Sequence, residues 1–138
     1  ITPEGLHAFS AWERWRDEVE LVPRLVEQVV WSRRYGYAGT TDLVGEFTHE
    51  GKRVQAVIDW KSSKSLHPEM FLQLSAYMAA LVEMEHIKPG GYGCIVRLPK
   101  KVHDPEFEVG IMQPDEQSDL FGVFLHCQQI WKWLEAQK

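Results

Sequence analysis

The sequence predicts an α/β fold, a mixed central β-sheet flanked by helices, and three observations carry that prediction. Three strand-like runs follow one another between Val26 and Lys61. A helical stripe precedes them, and a second one separates them from two more strand-like runs. The apolar spacing changes from a helical to an alternating period at proline and glycine positions.

The first helix is expected from about Thr2 to Glu20. Thr2 can serve as N-cap with Pro3 in the first turn. Leu6, Phe9, Trp12, Trp15 and Val19 recur at helical spacing. Pro23 ends or interrupts that helix. Val26–Ser32, Tyr37–Thr48 and Arg53–Lys61 read as strands. His49-Glu50-Gly51-Lys52 is a hairpin turn signal between the last two. A second helix runs from Pro68 to about Glu85 with the stripe Phe71, Leu74, Met78, Leu81 and Val82. Pro89-Gly90-Gly91 stops it. Tyr92–Leu98 and Phe107–Met112 read as two further strands. A last helix covers about Asp115–Ala136, and its stripe of Leu120, Val123, Phe124, Cys127, Ile130, Trp131 and Leu134 is expected to be core. Three successive strands favour an antiparallel meander, and the helix after the third permits a crossover to a parallel neighbour.

The chain has 138 residues, enough for one domain with its own core. Its composition, 44% hydrophobic and 25% charged, is that of a soluble globular protein. No apolar run reaches the length of a membrane span and no secretory signal is visible, so a cytoplasmic location is expected. The chain begins at Ile1 rather than Met, the pattern of a fragment lacking an upstream segment. Cys94 and Cys127 form no metal-binding pattern and read as two reduced thiols. The hydrophobic content is accounted for by the core, with no patch to assign to an oligomer. The net charge of −5 weighs against an ordinary basic nucleic-acid binder. It does not weigh against an enzyme that uses carboxylates to hold cations, since each divalent ion adds two local positive charges. Arg33-Arg34, Lys61 with Lys64, and Lys100-Lys101 supply phosphate contacts if they line one face.

The chemistry concentrates in Val57-Ile58-Asp59-Trp60-Lys61. Residues i and i+2 of a strand share a face, so Asp59 and Lys61 point one way and Trp60 the other. Asp42 arrives on the neighbouring strand. Phosphodiester hydrolysis needs an activated water and neutralised phosphate oxygens, which Mg2+ or Mn2+ supplies. Such ions take one or two carboxylates plus waters and substrate oxygens. Asp42 and Asp59 are the expected ligands, and the Trp60 carbonyl is a further hard oxygen. Lys61 would orient the water or hold the phosphate. Without metal the two aspartates should repel and raise one another's pKa. A structural Asp42–Lys61 ion pair is the competing reading. Glu27 interrupts an apolar strand and reads either as a further ligand or as a sheet-edge residue. Gln73 and Tyr77 lie four apart on one helix face, as site support or as a half-buried tyrosine beside an amide.

These residues resemble the PD-(D/E)XK nuclease superfamily, and within it the RecB-like, phage-type exonucleases. The resemblance rests on Glu27, Gly36-Tyr37-Ala38-Gly39-Thr40-Thr41-Asp42, Ile58-Asp59-Trp60-Lys61-Ser62-Ser63 and Gln73-Leu74-Ser75-Ala76-Tyr77, in the family's order. It implies a restriction-endonuclease-like αβββαβ core in a single nuclease domain spanning residues 1–138. Glu27 would complete an acidic cluster around the metal. Lys61 would be the catalytic lysine, and Gln73 and Tyr77, with Ser62 and Lys64 nearby, would support the site or contact DNA. The implied activity is a Mg2+- or Mn2+-dependent DNA exonuclease of replication, recombination or repair. Two departures stand out. Many RecB-like members carry a metal-binding histidine on an upstream helix, whereas His7 sits in different surroundings. The four-cysteine iron–sulfur cluster of some members is absent. The other readings are a catalytically silent nucleic-acid-binding module on the same fold, and an unrelated α/β scaffold.

Overall fold

In a computed structural model, residues 2–104 and 106–138 are described. Helix α1 (Pro3–Glu18) leads into strands β1 (Val22–Ser32), β2 (Tyr37–His49) and β3 (Lys52–Ser62). Helix α2 (Glu69–Glu83) follows, then β4 (Tyr92–Leu98), β5 (Glu108–Met112) and helix α3 (Gln117–Ala136). The strands form one sheet in sequence order, antiparallel except for the parallel β3–β4 pair. This is a mixed α/β sheet, and the element order is the αβββαβ expected from sequence, with β5 and α3 appended.

Local chemistry accounts for the boundaries. The Thr2 hydroxyl accepts the Gly5 N–H at 2.9 Å and caps α1. Glu50 and Gly51 both have positive φ, 50° and 77°, so His49 pairs with Lys52 across a two-residue turn. Pro23 does not stop a helix but sits near the start of β1, an edge strand, beside a bulge between Pro23 and Leu25.

Alternation along β3 divides the core. Ile58 and Ala56 pack with Trp15, Phe47 and Val96 beneath α1. Val57 packs with Leu74, Met78, Leu81 and Ile95 beneath α2. Burying an aliphatic side chain such as Ile58 or Leu81 stabilises by about 2 kcal/mol. Trp60, Trp12 and Trp15 pack in sequence, with centroids 4.9 Å and 5.5 Å apart, and hold α1 to the sheet.

Burial along the two outer helices α1 and α3 is uneven. On α1, Trp15 and Ala11 are buried, whereas Leu6 and Phe9 are about half exposed. On α3 no residue is buried. Leu120 and the Phe121 and Phe124 rings pack inward, and Gln128 donates to the Tyr35 carbonyl at 2.8 Å. Beyond Gln128 every residue is exposed, including Ile130, Trp131, Trp133 and Leu134. The α3 stripe is therefore only half used, and an apolar patch exists where none was expected. Cys94 lies in the core while Cys127 is exposed. No helix among the described residues is long and apolar enough to cross a membrane.

The β1–β2 turn is clasped from α2. Glu83 accepts from the Ser32 hydroxyl and the Arg33 N–H, each at 2.7 Å. These bonds, the Ser32 one first, hold the Glu83 carboxyl below its ordinary pKa. Such a group stabilises the fold above its unfolded-state pKa, and the contribution is lost as pH falls through the folded value. Glu83→Gln is therefore expected to lower the melting temperature by a few degrees at neutral pH. In melts followed by circular dichroism, the difference should shrink on acidification below about pH 4.

Candidate active site

The site forms where two strands part. The β2–β3 ladder ends at Leu43–Ile58. Beyond that pair, β2 continues against β1 as far as Tyr37, while β3 continues against β4 through Ser62. The next residues, Asp42 and Asp59, stand at the fork. Their carboxylates replace the missing main-chain acceptors. Oδ1 of Asp59 accepts the Asp42 N–H at 3.1 Å, and Oδ2 of Asp42 accepts the Trp60 N–H at 3.0 Å. The buried Thr41 hydroxyl donates to the same Asp59 oxygen at 3.3 Å. The two aspartates thus face one another through reciprocal bonds.

Asp59 is 3% exposed, and burial is the main cause of its raised pKa. The charge of Asp42 raises it further, while the Asp42 N–H, Lys61 and Thr41 oppose the shift. The expected mutual repulsion is thus present for Asp59 but second to desolvation. Each carboxylate keeps one oxygen without a hydrogen bond among the described residues, Oδ1 of Asp42 and Oδ2 of Asp59.

Lys61 shares the α2-facing side of β3 with Asp59. Its ammonium donates to Oε1 of Gln73 at 2.7 Å and lies 3.9 Å from Oδ2 of Asp59. The shorter contact decides its position, so a neutral amide holds the cation beside the carboxylate. No Asp42–Lys61 ion pair forms among the described residues. Tyr77, one turn after Gln73, has its pKa raised first by burial and then by Asp59 and Asp42, so its hydroxyl stays protonated near both acids. The Trp60 ring turns to the opposite face against Trp12.

Other expected residues stand apart. Glu27 is exposed on the edge strand, with a left-handed φ of 51°. The flanking pairs Val26–Leu43 and Gln28–Thr41 put its backbone opposite Asp42. Even so, no group of three or more His, Cys, Asp or Glu placed to hold a metal ion occurs among the described residues. No hydrogen bond or ion pair joins Glu27 to either aspartate among the described residues. His7 lies on α1, in the layer opposite Asp42 and Asp59. Ser62 ends β3 and Lys64 follows on the exposed loop to α2.

The strand directions bring the basic residues to one end. With β1, β3 and β4 running one way and β2 and β5 the other, the segments carrying Arg33-Arg34, Lys64 and Lys100-Lys101 all leave the end of the sheet nearest Asp59.

Three contributors were not singled out from the sequence. Thr41 anchors Asp59. Gly39 underlies Tyr77, since a Cβ there would meet the ring at 2.6 Å. Arg97, paired in register with Lys61, is 1% exposed and donates to the Ser63 carbonyl at 3.3 Å. A charge inside the apolar run Cys94-Ile95-Val96-Arg97-Leu98 is the same kind of signal that marked Asp59.

Two outcomes are expected. A carboxyl with a raised folded pKa loses stabilising effect as pH rises from the unfolded value through the folded one. In cation-free buffer, Asp59→Asn should melt a few degrees above wild type at neutral pH, and the curves should converge in acid. Gly39→Ala should lower the melting temperature, and by less in a Tyr77→Ala background, because the clash requires the ring.

No protein-family model matches the chain, and no curated protein matches its sequence. Among solved structures it is similar to an alkaline exonuclease from Laribacter hongkongensis, at 13% identity and a TM-score of 0.49, over 93% of this chain and 70% of that one.

Proposed function

We propose that the protein is a metal-dependent deoxyribonuclease, with Asp42 and Asp59 as metal ligands and Lys61 as the catalytic lysine. The observation that supports this is the strand fork, where two facing carboxylates each keep a free oxygen and an ammonium stands 3.9 Å from one of them. The donor set suits Mg2+ or Mn2+, which bind through one or two carboxylates and complete their shell with water and substrate oxygens. The buried, partly desolvated Asp59 gains most from a cation, because a divalent charge offsets the burial cost of its ionised form.

When bound, the ion would supply an activated water and neutralise phosphate oxygens. The chain's own groups do the rest. Thr41 and the Asp42 N–H keep Asp59 in one orientation. Gln73 aims the Lys61 ammonium at the space beside Asp59, where it can hold the scissile phosphate or orient the attacking water. Tyr77 offers a protonated hydroxyl to a phosphate oxygen. The Trp60 carbonyl is proposed as a further ligand. Glu27, whose backbone lies opposite Asp42, is proposed as a further carboxylate ligand. The basic segments at the same end of the sheet would track a DNA backbone. An exonuclease of replication, recombination or repair is the finer form of this reading.

Labelled single- and double-stranded DNA incubated with Mg2+, Mn2+ or chelator tests it. Wild type should cleave only with metal. Asp59→Ala and Lys61→Ala should each lose about a hundredfold or more while remaining folded. Cleavage surviving both substitutions would overturn the site. Binding without cleavage by wild type would make the protein the catalytically silent module.

A further inference from the structure

On the face of β3 opposite the carboxylates lies an apolar groove of about 300 Å³, lined by Ala8, Phe9, Trp12, Trp60 and Leu98. From it we infer a subsite for one unpaired nucleobase of single-stranded DNA, an inference that rests on the proposed nuclease reading. Three observations favour this occupant. The groove is built from flat rings, with Trp12 and Trp60 packed at 4.9 Å and Phe9 left 51% exposed at its mouth. Base stacking on aromatic faces is favourable and indifferent to base identity.

Second, the groove joins the active site through one residue. The Trp60 ring forms its wall, while the Trp60 N–H donates to Asp42 at 3.0 Å and its neighbours are Asp59 and Lys61. A strand with a phosphate at Lys61 can cross the end of the sheet and turn a base onto Trp60 and Phe9. Third, the charge is complementary. No lining residue is acidic, and Lys100 and Lys101 follow closely after Leu98. Asp104 takes their main-chain N–H groups, at 3.1 and 2.8 Å, and neither ammonium enters an ion pair among the described residues. Both are therefore available to a phosphate. Stacking rings, a small apolar slot and exposed cations suit an unpaired base on a phosphate backbone better than an apolar peptide.

The test is binding of a short fluorescent oligothymidylate in chelator, which separates binding from turnover. Wild type should bind with a change in tryptophan fluorescence. Phe9→Ala should weaken binding about fivefold or more, while Phe9→Tyr keeps a ring and should stay near wild type. An abasic strand of equal length should bind wild type more weakly and show no Phe9→Ala effect. Absence of wild-type binding would overturn the inference, as would equal affinity of wild type and Phe9→Ala for oligothymidylate. Equal affinity for the abasic strand, or a Phe9→Ala effect confined to self-association in sedimentation, would also overturn it. Failure of metal-dependent cleavage with base-dependent binding intact would remove the nuclease reading and leave this subsite standing. Cleavage with Phe9-independent binding would do the reverse.

Discussion

The reciprocal hydrogen bonding of Asp42 and Asp59 governs the structure around it. A sheet that splits between two central strands leaves main-chain donors without partners, and a buried unpaired donor costs about 1–3 kcal/mol. Here the two carboxylates accept those donors, the Asp42 and Trp60 N–H groups. The fork is stable because acids stand at it, and the acids face one another because the fork needs them. One interaction thus terminates a ladder and concentrates negative charge.

That concentration sets the demands on neighbouring groups. Desolvation disfavours ionised Asp59, so what surrounds it must supply compensation. The Thr41 hydroxyl, the Asp42 N–H and Lys61 do so in part. Lys61 is tethered to Gln73 rather than drawn fully onto Asp59, which leaves one carboxylate oxygen unbonded. The result is a pair of acids short of positive charge, a local condition that a divalent cation relieves. Gly39 matters for a related reason. Without a side chain it lets the Tyr77 ring lie close over β2, which brings the hydroxyl toward both acids.

The two faces of the sheet do different work. On the α2 side lie the carboxylates, Lys61 and Arg97 of the sheet, with Tyr77 of the helix above them. Beneath α1 lies a row of aromatic rings ending in the groove at Trp60 and Phe9. Trp60 belongs to both, its backbone bound to Asp42 and its ring packed on Trp12. The outer layer is less complete. The first half of α3 packs on α2 and the β1–β2 turn, and its second half presents Ile130, Trp131, Trp133 and Leu134 to solvent.

The element order, the hairpin at Glu50-Gly51 and the opposed faces of Asp59 and Trp60 were legible in the chain because they follow from local rules. Periodicity, turn stereochemistry and strand alternation act within a few residues of sequence. The pairing of Lys61 with Gln73 needed the helix to be laid across the sheet, and the role of Gly39 needed Tyr77 above it. Glu27 read equally as a ligand or as a sheet-edge residue, and the structure places it exposed on an edge strand with a left-handed backbone that no local pattern encodes. The α3 stripe reads as core because an amphipathic helix announces an apolar face. Whether anything lies against that face depends on where α2 ends, which is a property of packing. Local sequence thus determined which elements form and which way their side chains alternate. Tertiary structure alone decided which of those side chains meet, because convergence depends on strand register, strand splay and helix placement summed over the whole sheet.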